Sequence, residues 1–267
     1  MNATVAVSAG RSATRPGPRF DRWFFPGMVL AMMAMVLTGF AHFYWRGGLI
    51  LALSGPAHAL HDLGASGHIR WAELLQNLHG PVGSAWMMLL LVQASLASAR
   101  RVRIHRRLGL IGLALSVLVV LTSFGAAADV MSKCARSCTP EVLEDLQRFY
   151  ATVDVDLLIF TVLIACAFAM RKRAATHKRL ILMATISILS PAPFRYAFVQ
   201  GSVEGALLIT YVFVLLLVVY DLWSLHEVHQ ATLWSGCFMI SAQQIGFPIG
   251  RTAAGHAFAT WLTSLAV

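Results

Sequence analysis

The chain has 267 residues, 58% of them hydrophobic and 12% charged, with a formal net charge of +9 at pH 7. Several apolar runs exceed the ~18 residues that a bilayer-spanning helix needs and show no polar stripe at helical spacing, which excludes an ordinary soluble domain. The positive charge does not point to nucleic acid, because the basic residues stand in short clusters beside apolar runs, the pattern of membrane topology and anionic-lipid contact.

Residues 1–20 contain no apolar stretch of the signal-peptide kind and read as a flexible basic tail. Residues 21–267 read as one transmembrane helical domain. The apolar runs predict spans near 24–45, 81–99, 108–130, 155–170, 180–199, 205–223 and 231–248, an all-α bundle of about seven spans. Gln243, Gln244 and Pro248 interrupt the last of these. Residues 252–267, which include GHAFATWLTSLAV, read as an interfacial helix or a short eighth span. In the long connection 46–80, WAELLQNL reads as a short amphipathic helix lying along the membrane surface.

With a cytoplasmic N-terminus, the inner segments hold Arg11, Arg15, Arg19 and Arg22, five arginines at 100–107 and five basic residues at 171–179, together 14 of the 21 Lys and Arg. That asymmetry predicts the N-terminus inside, in a bacterial cytoplasmic membrane. The CARSC segment then falls in an outer loop, where Cys134 and Cys138 could close a small disulfide or hold a metal. Cys166 and Cys237 fall within spans and read as small core residues.

The ten histidines divide by side. His42, His58, His61, His68 and His79 fall outside, His256 is assigned to neither side, and His105, His177, His226 and His229 fall inside, at least one in each inner loop after the tail. His105 in RIHRRLG and His177 in ATHKRLILMA open spans, and His229 follows the sixth span in SLHEVHQATLW. Imidazoles from three loops meeting on one face could bind a metal ion, with Asp221 as a ligand or as a hydrogen-bond partner that orients a ring. Fixed positive charge around His105 disfavours protonation and would keep that ring available as a ligand. The same histidines could merely contact lipid phosphate. A haem b is the other form of the site, with axial imidazoles and with arginines for the propionates. His79 in LHGPVGSAW and His42 could form an outer pair.

The fifth predicted span contains SPAPFRYAF. Pro191 and Pro193 should break the helix, and Arg195 follows inside the span, where a charge calls for a partner or a function. Asp154, Asp156 and Glu204 are the candidate partners, and snorkelling to the surface is the alternative. Broken helices also line transport sites.

The succession HGPVGSAW, QASL, HRRLG, HKRLILMAT, PAPFR and D-x-x-x-x-H-x-x-H-x-A-T-L-W resembles an uncharacterised family of bacterial polytopic inner-membrane proteins with an HR-x-x-G type signature. It covers roughly residues 79–235, and its recurrent polar positions match His79, His105, His177, Arg195, Asp221 and His229. A remoter likeness to b-type cytochromes and oxidase-assembly membrane proteins implies haem, although the chain lacks a clean set of paired histidines within spans. No lysine lies in a span to hold retinal, and no nucleotide-binding glycine loop, H-E-x-x-H pair or Ser-His-Asp signature is present.

The expected function is a membrane metal or haem protein of oxidoreductase-like or cofactor-handling type. Its metal ligands would be His105, His177, His229 and Asp221, and His79, His105 and Arg195 would bind the cofactor. Its expected partners are the bilayer, anionic lipids and a redox partner or second copy. The competing class is a transporter or lipid-binding protein built on the broken fifth span and Arg195.

Overall fold

The computed structural model describes residues 21–41, 44, 71–199, 202–249 and 252–265. The predicted tail at 1–20 and His42, His58, His61 and His68 lie outside these residues. The described residues form eight α-helices and one 3₁₀ turn, with no strand among them. The helices are α1 (Asp21–Gly39), α2 (Trp71–Ser98), α3 (Val102–Ser137), α4 (Pro140–Ala169), α5 (Ala174–Ser187), α6 (Val203–Leu225), α7 (Gln230–Ile249) and α8 (Ala253–Leu265), and the 3₁₀ turn at Pro193–Arg195 lies between α5 and α6. Five helices, α1, α2, α3, α4 and α6, are long and apolar enough to cross a membrane. Their outward faces carry Leu110, Ile111, Leu208, Leu215 and other large apolar side chains. In water such a surface would aggregate, and in a bilayer it is ordinary.

The helix ends collect at two poles. At the basic pole, Ser98 at the end of α2 donates to the carbonyl of Arg22 in α1, His105 of α3 meets His177 of α5, and Arg179 of α5 pairs with Asp221 of α6. Trp23, Trp223 and Trp234 are exposed around this pole, the position of an interfacial aromatic belt. At the opposite pole a disulfide joins Cys134 and Cys138. There α3 ends, Thr139 caps α4 by accepting from the Val142 amide at 3.5 Å, and Pro140 opens the helix. The disulfide resolves the two readings of CARSC. Cys166 and Cys237 sit on exposed faces rather than in the core, because the helices that carry them turn those positions outward.

The main core gathers on α4, whose Ile159, Phe160, Leu163 and Ile164 are buried against Met32 of α1, Trp86 of α2, Met183 of α5 and Met239 of α7. α3 has 36 residues, or about 54 Å at ~1.5 Å per residue, well beyond a hydrocarbon layer of about 30 Å. Its far end supports a second cluster in which Ala72, Ala127, Ala128 and Met131 pack with Trp71, Phe124, Leu143, Leu146 and Tyr150. This cluster explains a difference from the expected interfacial helix. WAELLQNL forms the first two turns of α2 itself, because Gly125 of α3 lacks the Cβ that would collide with Leu75.

α5 has only 14 residues, about 21 Å, and stops where Pro191 and Pro193 approach. The chain turns irregularly over residues 188–199, and the Ser202 hydroxyl caps α6 by accepting from the Gly205 amide at 3.0 Å. This segment packs on the end of α1. Tyr196 Oη lies 2.8 Å from Thr38 Oγ1 and donates to the Met35 carbonyl at 3.1 Å. Gly39 passes so close to the Ala192 backbone that no side chain fits between them.

Candidate functional site at the basic pole

Seven positions at the basic pole carry most of its polar chemistry, and they fall into two groups. In the first, α3 and α5 each begin with a histidine one turn into the helix. The His105 and His177 rings stand edge to face with centroids 6.4 Å apart. His177 Nδ1 lies 2.8 Å from the Ala167 carbonyl at the end of α4. A carbonyl can only accept, so Nδ1 carries a proton, and in the neutral ring the lone pair is on Nε2. Gln93 of α2 donates through Nε2 to the His105 carbonyl at 3.2 Å. His105 Nδ1 and Gln93 Oε1 are both buried without a hydrogen-bond partner. One imidazole nitrogen and an amide oxygen are thus unsatisfied at one place, and buried polar atoms in that state need an explanation.

The second group ties α5, α6 and α7 together. Arg179 Nε donates to Asp221 Oδ1 at 3.0 Å and to Oδ2 at 3.3 Å, its Nη2 also reaches Oδ1, and its Nη1 donates to the Ala175 carbonyl at 2.9 Å. Asp221 additionally accepts from the His229 amide at 3.2 Å and from the Thr232 hydroxyl. Arg179 is 2% exposed and Asp221 0%, so the ion pair is fully desolvated. Tyr220 stacks on Phe24 with centroids 3.8 Å apart, and Lys178 Nζ lies 4.1 Å from the centre of the Phe25 ring. These contacts close α1 onto the same knot.

The expected four-ligand set is therefore divided. His105 and His177 come together, as do His229 and Asp221, but the described residues contain no group of three or more His, Cys, Asp or Glu side chains placed to hold a metal. His229 serves as a helix cap, its Nδ1 accepting from the Ala231 amide at 3.0 Å. Burial, and then the charge of Arg179, holds its imidazole below the ordinary value, so the ring is neutral at pH 7. Asp221 spends its oxygens on Arg179, Thr232 and the α7 N-terminus. His226 is exposed at the left-handed C-cap of α6, with φ 61°.

His79 and Arg195 lie far along the bundle from this pole. His79 Nδ1 is 3.3 Å from Ser123 Oγ, linking α2 to α3. Arg195 is exposed, donates to the Pro191 carbonyl and covers the Phe40 ring at 4.2 Å. It forms no ion pair with Asp154, Asp156 or Glu204 among the described residues. Asp156 is engaged by Ser190 and Gln243, and Glu204 accepts from Ser202 at 3.0 Å. The guanidinium turns back on its own 3₁₀ turn because the proline carbonyl there lacks the amide it would meet in a helix.

Sequence reasoning overlooked Arg179, Gln93 and Thr232. Arg179 read as one more topology-setting charge in HKRL, although its place just inside a long apolar run was the available signal. Gln93 and Thr232 carried no signal, since polar uncharged residues in spans are common. Compared with protein families, with curated proteins and with solved structures, the chain finds no match in any of the three.

Proposed function

We propose that the chain is a bacterial inner-membrane protein that holds an imidazole-ligated transition-metal centre, a free ion or a haem iron, between His105 and His177. It would act there in oxidoreductase-like or cofactor-handling chemistry. The observation that carries this reading is the histidine pair itself, with centroids 6.4 Å apart and His177 Nδ1 bound to a backbone carbonyl. A backbone acceptor on one ring nitrogen fixes the tautomer and presents the other nitrogen to a metal, as in many imidazole-ligated sites. Metal–nitrogen distances of about 2 Å from each ring suit the spacing, and the unpartnered Gln93 Oε1 offers a weaker third ligand.

In this reading α5 and α7 count as spans, for about seven in all, with the N-terminus and the basic pole in the cytoplasm. The charge asymmetry supports that orientation, and a disulfide at the opposite pole suits an oxidising periplasm. Arg103, Arg106 and Arg107 would contact anionic lipid or haem propionates. The HR-x-x-G resemblance adds only that His105 and His177 are positions where such a family keeps histidine.

The test is elemental analysis and an absorption spectrum of the detergent-purified protein, as isolated and after addition of zinc, copper or haemin. Stoichiometric metal or a Soret band is expected, falling at least about tenfold in His105→Ala and His177→Ala and unchanged in the exposed control His226→Ala. Protein that takes up none of these, or whose content ignores both substitutions, overturns the reading. A second reading, a transporter, draws on the irregular segment 188–199, since interrupted helices line transport pathways.

A further inference from the structure

A third polar group lies within the bundle, apart from both groups at the basic pole. Asp156 of α4 is 1% exposed. Ser190 donates to its Oδ2 at 2.7 Å, and Gln243 Nε2 of α7 donates to its Oδ1 at 2.7 Å. Ser187 Oγ, at the end of α5, lies 3.4 Å from its backbone carbonyl. All three neighbours are neutral, and no cationic side chain among the described residues forms an ion pair with this carboxyl. From α6 the titratable neighbour is the Tyr211 phenol, which accepts from Gln244 at 3.3 Å. From α7 the group that faces it is Gln243, and on its own helix Asp154 is the nearest acid in sequence.

A carboxylate in this setting is costly. Neutral donors do not cancel its charge, and a buried ion without a partner is neutralised or acquires a counter-ion. The surroundings are also short of donors. Gln243 is 0% exposed, and its Oε1 has no partner. Because Oε1 and Nε2 belong to one amide, that orphaned oxygen sits beside the carboxyl. Pro191 has no N–H to offer the Ser187 carbonyl four residues earlier, where α5 ends. The carboxyl oxygens of Asp156 on α4 and the unpartnered Gln243 Oε1 on α7 thus lie together with only neutral donors around them, the condition that a cation relieves.

We propose that Asp156, Gln243 and Ser190 form a binding site for one monovalent cation, a proton or a sodium ion, inside the bundle. Ser190 belongs to the irregular turn after α5, so loading the carboxyl changes the bond that fastens this turn to α4. The proposal does not depend on the histidine site, and His105→Ala should leave it intact.

Infrared difference spectra of the purified protein against Asp156→Asn, combined with thermal unfolding in sodium and in potassium chloride, provide the test. A proton site gives a protonated-carboxyl band that is lost as pH rises and is missing from the variant. A sodium site gives a carboxylate band that moves with sodium and not potassium, together with a sodium-dependent rise in Tm that Asp156→Asn abolishes. If Asp156→Asn does not remain monodisperse, Ser190→Ala serves in its place and should shift the same band. A carboxylate signal that responds to neither pH nor sodium in the folded protein overturns the proposal.

Discussion

At the scale of single residues, Arg179 and Asp221 contribute the pole's structural charge. Both are buried, so the attraction between them offsets a large desolvation cost, and removing one partner strands the other. Arg179→Met should therefore lower unfolding stability by about 3–5 kcal/mol. Adding Asp221→Asn should recover part of that loss, because the amide still accepts from Thr232 and the His229 amide while carrying no charge. Thermal unfolding of the two variants in detergent checks this. Equal stability of the single and double variants would mean that a stranded carboxylate is not the source of the loss. The histidine pair differs in kind, since its buried nitrogen and the neighbouring amide oxygen make no stabilising bond. That difference assigns architecture to Arg179 and Asp221 and, under the proposed function, leaves chemistry to His105 and His177.

Close helix packing decides what happens at the scale of elements. α2 and α3 lie against each other from the basic pole to the disulfide pole, and Gly125 permits the closest approach, at Leu75. Gly125→Ala should destabilise by about 1–3 kcal/mol, the usual cost of overpacking, because the nearest atom is the Leu75 Cβ, which moves only with its helix. Gly27→Ala in α1 meets nothing within 4 Å and should instead stabilise by about 0.5–1 kcal/mol through helix propensity. Opposite signs of the Tm shift in these two variants are the expected result, and a fall in both would contradict it. The break after α5 belongs to this scale as well. Two prolines set where the helix stops, and Tyr196 and Gly39 set where the released chain packs, against the end of α1.

For the whole molecule, the two poles differ in charge and in redox chemistry, and that contrast yields a topology test. In intact cells of a Cys166→Ser, Cys237→Ser background, an impermeant reductant followed by an impermeant maleimide should label Cys134 and Cys138. Arg103→Cys should label only after the cells are opened. The reverse pattern would invert the orientation proposed above. Both poles are held by contacts between helices distant in sequence, Arg179 to Asp221 at one and Trp71 and Ala72 to Ala127 and Tyr150 at the other. Unfolding in detergent should accordingly involve several helices together.

The sequence by itself determined that the chain is helical and built for a bilayer, because long apolar runs and clustered basic residues act through composition and local hydrogen bonding alone. It also singled out His105 and His177, and it located the helix break at Pro191 and Pro193, since proline acts on its own backbone. Only the tertiary structure decided that His229 is a cap, that Asp221 belongs to Arg179, that Arg195 folds back on its own turn, and that Asp156 is enclosed by Ser190 and Gln243. Which polar groups meet across a bundle depends on helix rotation and depth. Those are set by side-chain packing among residues far apart in the chain, and no periodicity within a single segment records them.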